Sequence, residues 1–145
     1  SIGSLERTAW ADSGVFTYPM GVDKANKKAF NHELGSNDDG SAMTAFIETG
    51  FFNGDENGDN MIFIDKIIPD TTFVQGNTIK FQLKSKRYPN DSETTKGPFS
   101  LTSSSTKLNM RARGRAFQAR YSSDATNTAW RLGTWRANGQ ASGSR

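Results

Sequence analysis

A chain of 145 residues, 34% hydrophobic and 23% charged, is the size of one domain and can bury a core without metal or disulfide help. It has no cysteine, which excludes disulfides and thiolate chemistry. Its net charge of +3 hides an asymmetry: residues 1–76 hold five Lys and Arg against twelve Asp and Glu (−7), and residues 77–145 hold thirteen against three (+10).

In chain order, the opening SIGSLERTAW reads as the edge of an excised domain, with no cationic, apolar leader. The longest apolar run, MIFIDKIIP, is broken by charge. Neither a secretory signal nor a membrane-spanning helix is therefore expected. Trp10, Phe16 and Tyr18 are punctuated by Gly14 and Pro19, and residues 15–18 read as a short strand. DKANKKA reads as a loop because no helical period follows it. AFNHELG alternates Phe30, His32 and Leu34 against Asn31 and Glu33, the pattern of a half-buried strand, and SNDDGSAM supplies a turn.

AFIETGFF and MIFIDKII flank NGDENGDN, which holds Asn-Gly at Asn53 and at Asn57, and together they read as a hairpin. Ile62, Ile64 and Ile68 alternate against Phe63 and Ile67, so this strand is expected to be central and covered on both faces, ending at Pro69. NTIKFQLKSKRY is amphipathic, with Ile79, Phe81 and Leu83 inward and Lys80, Gln82, Lys84 and Lys86 outward. PNDSETTKGP reads as a loop, FSLT as a short strand and SSST as a polar turn.

Residues 107–145 hold seven arginines interleaved with Phe117, Tyr121, Trp130 and Trp135, against the single acid Asp124. Arg111, Arg113 and Arg115 share one strand face, with Met110 and Ala112 on the other. Beyond Gly114 the apolar Phe117, Ala119 and Tyr121 take the arginines' parity, so a bulge or bend there is expected to swap the faces. SSDATNT is a loop. AWRLGTWR is expected to complete a hairpin, with Trp130 and Leu132 on one face and Arg131 and Trp135 on the other. About eight short strands separated by turn signals, with no amphipathic helix, predict one all-β domain over residues 1–145. The expected architecture is an antiparallel β-sandwich or Greek-key arrangement, and blades of a larger propeller are the alternative.

No catalytic set is expected. The one histidine, His32, sits beside Glu33 on the opposite strand face, and a lone histidine in such a strand is most often structural. There is no phosphate-cradling glycine loop, no metal-binding histidine pair and no cofactor motif. Two acidic loops, Asn37-Asp38-Asp39 and residues 55–59, offer oxygen ligands. Asp55, Asn57 and Asp59 form the weak calcium candidate, without the spacing or closing Glu of the helical calcium loop. The arginines and aromatics invite nucleic acid, against which the acidic first half argues. Exposed tryptophans stacking on sugars would make a carbohydrate-binding module. The remaining reading is an arginine face on an acidic protein surface, where guanidinium binds carboxylate bidentately.

ERTAW with SGVF, HELGSNDDGSAMTAFIETGFF, MIFIDKIIPD, KRYP with ETTKGPFSLT, and the closing RARGRAFQARYSS and AWRLGTWR occur in order from residue 6 to the end. Together they resemble the C-terminal region of virion structural proteins of tailed phages and prophages, in tail or head-to-tail joining proteins. The ending departs from that pattern: TWRANGQASGSR is polar where the family has a more apolar strand. The resemblance implies a domain of a longer chain or a shortened relative, in a non-enzymatic subunit assembled in the host cytoplasm into the virion. Its partners would be other virion proteins or copies of itself, with no membrane role. The expected contact residues are Arg111, Arg113, Arg115 and Arg131, with Trp130 and Trp135 as anchors, and heterologous contacts of this kind close into rings.

Overall fold

A computed structural model describes residues 9–14 and 16–143. The fold is all-β, every strand pairing is antiparallel, and no helix occurs among the described residues. Strands β1 (Ala9–Ala11), β2 (Met20–Asp23) and β3 (Lys28–Asn31) form a meander, and β4 (Asn37–Asp38) pairs with β5 (Ser41–Ala42). Then come β6 (Ala45–Glu48), β7 (Phe52–Asn53), β8 (Ile62–Ile68), β9 (Thr71–Gln75) and β10 (Thr78–Lys86). The last five are β11 (Thr94–Thr102), β12 (Leu108–Gly114), β13 (Ala116–Ser123), β14 (Ala129–Leu132) and β15 (Arg136–Ala141).

Two sheets make a sandwich. One runs β11-β10-β13-β6, with β7 also paired to β13, and the other runs β12-β8-β15. Between them lie Ile62, Ile64 and Ile67 of β8, Met110 and Ala112 of β12, Ile79, Phe81 and Leu83 of β10, Leu101 of β11, and Phe117, Ala119 and Tyr121 of β13. Each large apolar side chain buried here contributes about 1.5–3 kcal/mol. The β14-β9 pair adds Phe73, Trp130 and Leu132 to the rim of this core.

The first five strands stand apart as an arm. It is joined to the body where Ser36 Oγ meets Gln75 Oε1 at 2.8 Å, and where Asn37 exchanges hydrogen bonds with Asn127 at 2.7 and 2.6 Å. At the β2–β3 hairpin, buried Asp23 accepts hydrogen bonds from Ala25 N and from the Asn26 side chain, which shapes the expected DKANKKA loop.

Several local expectations hold. The amphipathic β10 buries Ile79, Phe81 and Leu83, β8 is central in its sheet, and it ends at Ile68 before Pro69. Others are corrected. Residues 16–18 bend, the strand falls instead at β2, and Val15 lies outside the described residues. The expected strand at AFNHELG stops at Asn31, and FSLT is the end of a nine-residue strand. Ile62, Ile64 and Ile67 share the buried face of β8, leaving Ile68 exposed, because the register shifts opposite Asp65 on both sides of the strand. The strand is thus apolar on one face rather than covered on two.

The two expected hairpins are also replaced. AFIETGFF pairs with β13, whereas MIFIDKII pairs with β12 and β15, so the Asn-Gly loop spans from one sheet to the other. β13 and β14 do not pair with each other; β14 pairs with β9. The face swap near Gly114 is real, but it comes from the chain leaving one sheet and entering the other. A Cβ on Gly114 would lie 2.9 Å from Lys86 O and 3.0 Å from Ser85 Cβ, so only glycine permits this crossing. No radially repeated four-stranded unit is present among the described residues, which argues against propeller blades.

Candidate functional site

β12 alternates buried Met110, Ala112 and Gly114 with outward Arg111 and Arg113, because only its inner face meets the core. The two exposed arginines reach a groove of about 520 Å³ shared with Phe63, Ser85, Ser92, Thr94, Arg87 and Lys96. Four cations thus meet there, and Asp91 is the one acid lining the groove among the described residues. Arg111 also borders a second groove, of about 610 Å³, with Phe63, Asp65 and Asn109.

Nearby basic residues are matched within the fold. Lys84 and Lys86 lie 3.2 and 3.5 Å from Glu93, and the Lys84 hydrogen bond holds the Glu93 carboxyl below its usual pKa. Arg120 pairs with Glu48 at 3.1 Å, joining the basic half of the sequence to the acidic half. Lys80 pairs with Asp124 at 2.5 Å and lowers that carboxyl as well. Arg113 Nη2 donates to Ser142 O at 2.7 Å, which ties the segment after β15 to the arginine face.

The expected set of contact residues is divided among three places. Arg111 and Arg113 stand together. Arg115 lies at the crossing between the sheets, half-buried, where its guanidinium donates to the carbonyls of Gly58 and Asp59 and sits 5.2 Å from the Tyr88 ring. That placement makes it a clamp on the acidic loop. Arg131 is exposed on β14, in a different sheet.

Trp130 and Trp135 are core-side residues. Trp130 is half-buried and its Nε1 donates to Ser123 Oγ at 3.0 Å. Trp135 packs with ring centroids 6.0 Å from Phe52 and 6.4 Å from both Phe81 and Tyr121. The alternation expected for AWRLGTWR holds through Leu132, with Trp130 and Leu132 against the core and Arg131 outward, but Trp135 is also core-side because β14 ends at Leu132 and a turn redirects the chain. Asp70 builds that turn: its backbone oxygen accepts from Gly133 N at 2.8 Å and its Oδ2 from Thr134 N at 3.0 Å. A Cβ on Gly133 would lie 2.2 Å from Asp70 Oδ2, so any larger residue there pushes the carboxylate off its bond to Thr134 N.

The other candidates take structural places. His32 packs on Trp10 with centroids 4.5 Å apart. In the 55–59 loop, desolvation raises the Asp55 pKa, but hydrogen bonds from Asn60 outweigh it and hold the carboxyl below its ordinary value. Asp55 Oδ2 accepts from Asn60 N and Nδ2 at 3.1 and 2.9 Å, while Asn57 is exposed and Asp59 offers its carbonyl to Arg115. Among the described residues, no group of three or more His, Asp or Glu is placed to hold a metal ion.

Sequence reasoning missed Arg87 and Lys96. They flank the 88–95 segment, and only the packing of β10, β11 and β12 brings them beside Arg111. Comparison with protein-family models and with curated proteins gave no match.

Proposed function

We propose that this protein is a non-enzymatic structural subunit of a tailed-phage virion, in the tail or neck, and that it works through protein–protein contacts. The observation that supports it best is the groove where Arg87, Lys96, Arg111 and Arg113 converge against Asp91 alone among the described residues. Such a surface suits a carboxylate-rich partner surface, since guanidinium groups bind carboxylates bidentately and complementary charge steers docking. The acidic excess of the sequence lies in its first half, −7 over residues 1–76, so a second copy is one candidate partner and other virion proteins are the others. The phage-virion assignment itself rests on the sequence resemblance.

The competing glycan-binding reading calls for coplanar exposed aromatics flanked by carboxylates or amides; Trp10 is exposed, but it stacks on His32 with the rings tilted by 42°. Trp130 and Trp135 instead pack against the core, which weighs against it. Reversing both arginines, Arg111→Glu with Arg113→Glu, tests the proposal. The expected result is loss of salt-sensitive association with unchanged circular dichroism. Association that survives the reversal, or a variant that unfolds, would refute it.

A further inference from the structure

Sheet edges in soluble proteins usually carry features that stop them pairing, such as charged residues, Pro or bulges. Three of the four edges of this sandwich carry them. β12 presents Arg111 and Arg113, β15 is polar with Arg136 and Asn138, and β11 holds Lys96 and Pro98 at a register shift. β6 is different. It reads Ala45-Phe46-Ile47-Glu48, has no Pro, its one charged side chain, Glu48, is paired with Arg120 at 3.1 Å, and it is exposed along its whole length, with Phe46 56% and Ile47 49% accessible.

Its backbone is half used. Thr49 N donates to Ala119 O at 2.9 Å, and Ile47 lies opposite Tyr121 in the same register. Hydrogen-bonding pairs alternate along an antiparallel ladder, so Ala45 and Ile47 point their amides and carbonyls at β13, and Thr49 its amide, while Ala119 N donates to Thr49 Oγ1. Those of Phe46 and Glu48 point away from the sheet. Ile47 shares the core face with Tyr121, beyond the cover of the second sheet. Phe46 lies on the outer face under the Arg120 guanidinium, 4.3 Å from its ring centroid.

We propose that β6 is a pairing edge for a second copy of this chain, joining β6 to β6 antiparallel about a two-fold axis. The protections on the β11 edge of the same sheet, Lys96 and Pro98, disfavour head-to-tail addition of β6 to β11 and leave like-to-like pairing. With Ile47 facing Ile47 of the partner across the axis, Phe46 and Glu48 of one copy exchange four backbone hydrogen bonds with Glu48 and Phe46 of the other. In this register each Glu48 lies beside the other copy's Phe46, whose ring already carries Arg120. The Arg120–Glu48 pairing present within one protomer at 3.1 Å is thereby extended across the axis, so charge as well as apolar contact is complementary. The inference is independent of the virion reading.

The test is sedimentation velocity over a concentration series in about 1 M salt, where exposed ion pairs are screened, combined with amide hydrogen exchange. A dimer is expected, with Phe46 and Glu48 amides gaining protection as concentration rises while Ile47 is protected throughout. Phe46→Pro removes an outward amide and no bond to β13, and Ile47→Lys puts charge at the axis. Each is expected to give a monomer. A wild-type chain that is monomeric at all concentrations, a dimer that survives both substitutions, or concentration-independent exchange at Phe46 and Glu48 would overturn the proposal. Should Phe46→Pro fail to fold, Ile47→Lys, at a half-exposed position, decides the matter.

Discussion

Trp135 separates a core role from a partner-anchor role most sharply. In this fold its indole closes the side of the core made by Phe52, Phe81 and Tyr121, with centroids 6.0–6.4 Å away. Truncating a fully buried Trp or Phe to Ala costs about 3–5 kcal/mol, and aromatic pairs add about 0.5–1.5 kcal/mol each beyond area burial. Trp135 is half-buried, so Trp135→Ala is expected to cost about 2–3 kcal/mol. At about 2–4 °C per kcal/mol for a chain of this size, the melting temperature falls by about 4–12 °C. Differential scanning calorimetry reads this directly, and near-ultraviolet circular dichroism should lose aromatic signal. A variant that melts within a degree of the parent but no longer associates would show that Trp135 is a partner anchor and that its packing on the core is incidental.

Other substitutions probe the same structure. Ile67→Ala, at a fully buried β8 position, should cost about 2–5 kcal/mol in urea unfolding. The Tyr121 phenol is buried beside Phe81 without a hydrogen-bond partner among the described residues, and burial pushes its pKa up. Tyr121→Phe should therefore leave stability unchanged or raise it by about 1 kcal/mol, and a loss of 2 kcal/mol or more would contradict this. Asp124 and Glu93 have folded pKa values lowered by hydrogen bonds from Lys80 and Lys84. The unfolded chain then binds more protons, so their contribution is full above the unfolded pKa values and is lost as pH falls through the folded ones. A melting temperature followed from about pH 6 to pH 3 should decline, less steeply in Asp124→Asn with Glu93→Gln.

What the sequence disclosed was local. Alternation in β10 named the buried residues, and the parity change at Gly114 located the crossing between sheets. Pairing partners were not legible, because two β-rich runs either side of Asn-Gly look the same whether they pair with each other or with distant strands. The irregularity at Asp65, which faces two residues of β12 and has no partner on β15, moved Ile67 inward and Ile68 outward, and no periodicity reveals such a shift beforehand. The polar β15 escaped notice because an edge strand whose side chains all face solvent needs no apolar alternation. At the site, Arg111 and Arg113 were found by parity. Trp135 was misassigned because the Asp70 turn redirects the chain after Leu132, and Arg87 and Lys96 join the groove only through long-range packing.

The most direct test of the proposed assembly role is molar mass by light scattering at low and at high salt. The account predicts assemblies larger than a dimer at low salt, held by the arginine-lined groove, that shrink to the β6-paired dimer when screening is strong. A mass that does not change with salt would contradict it, because the converging cations at Arg87, Lys96, Arg111 and Arg113 would then hold no partner copy.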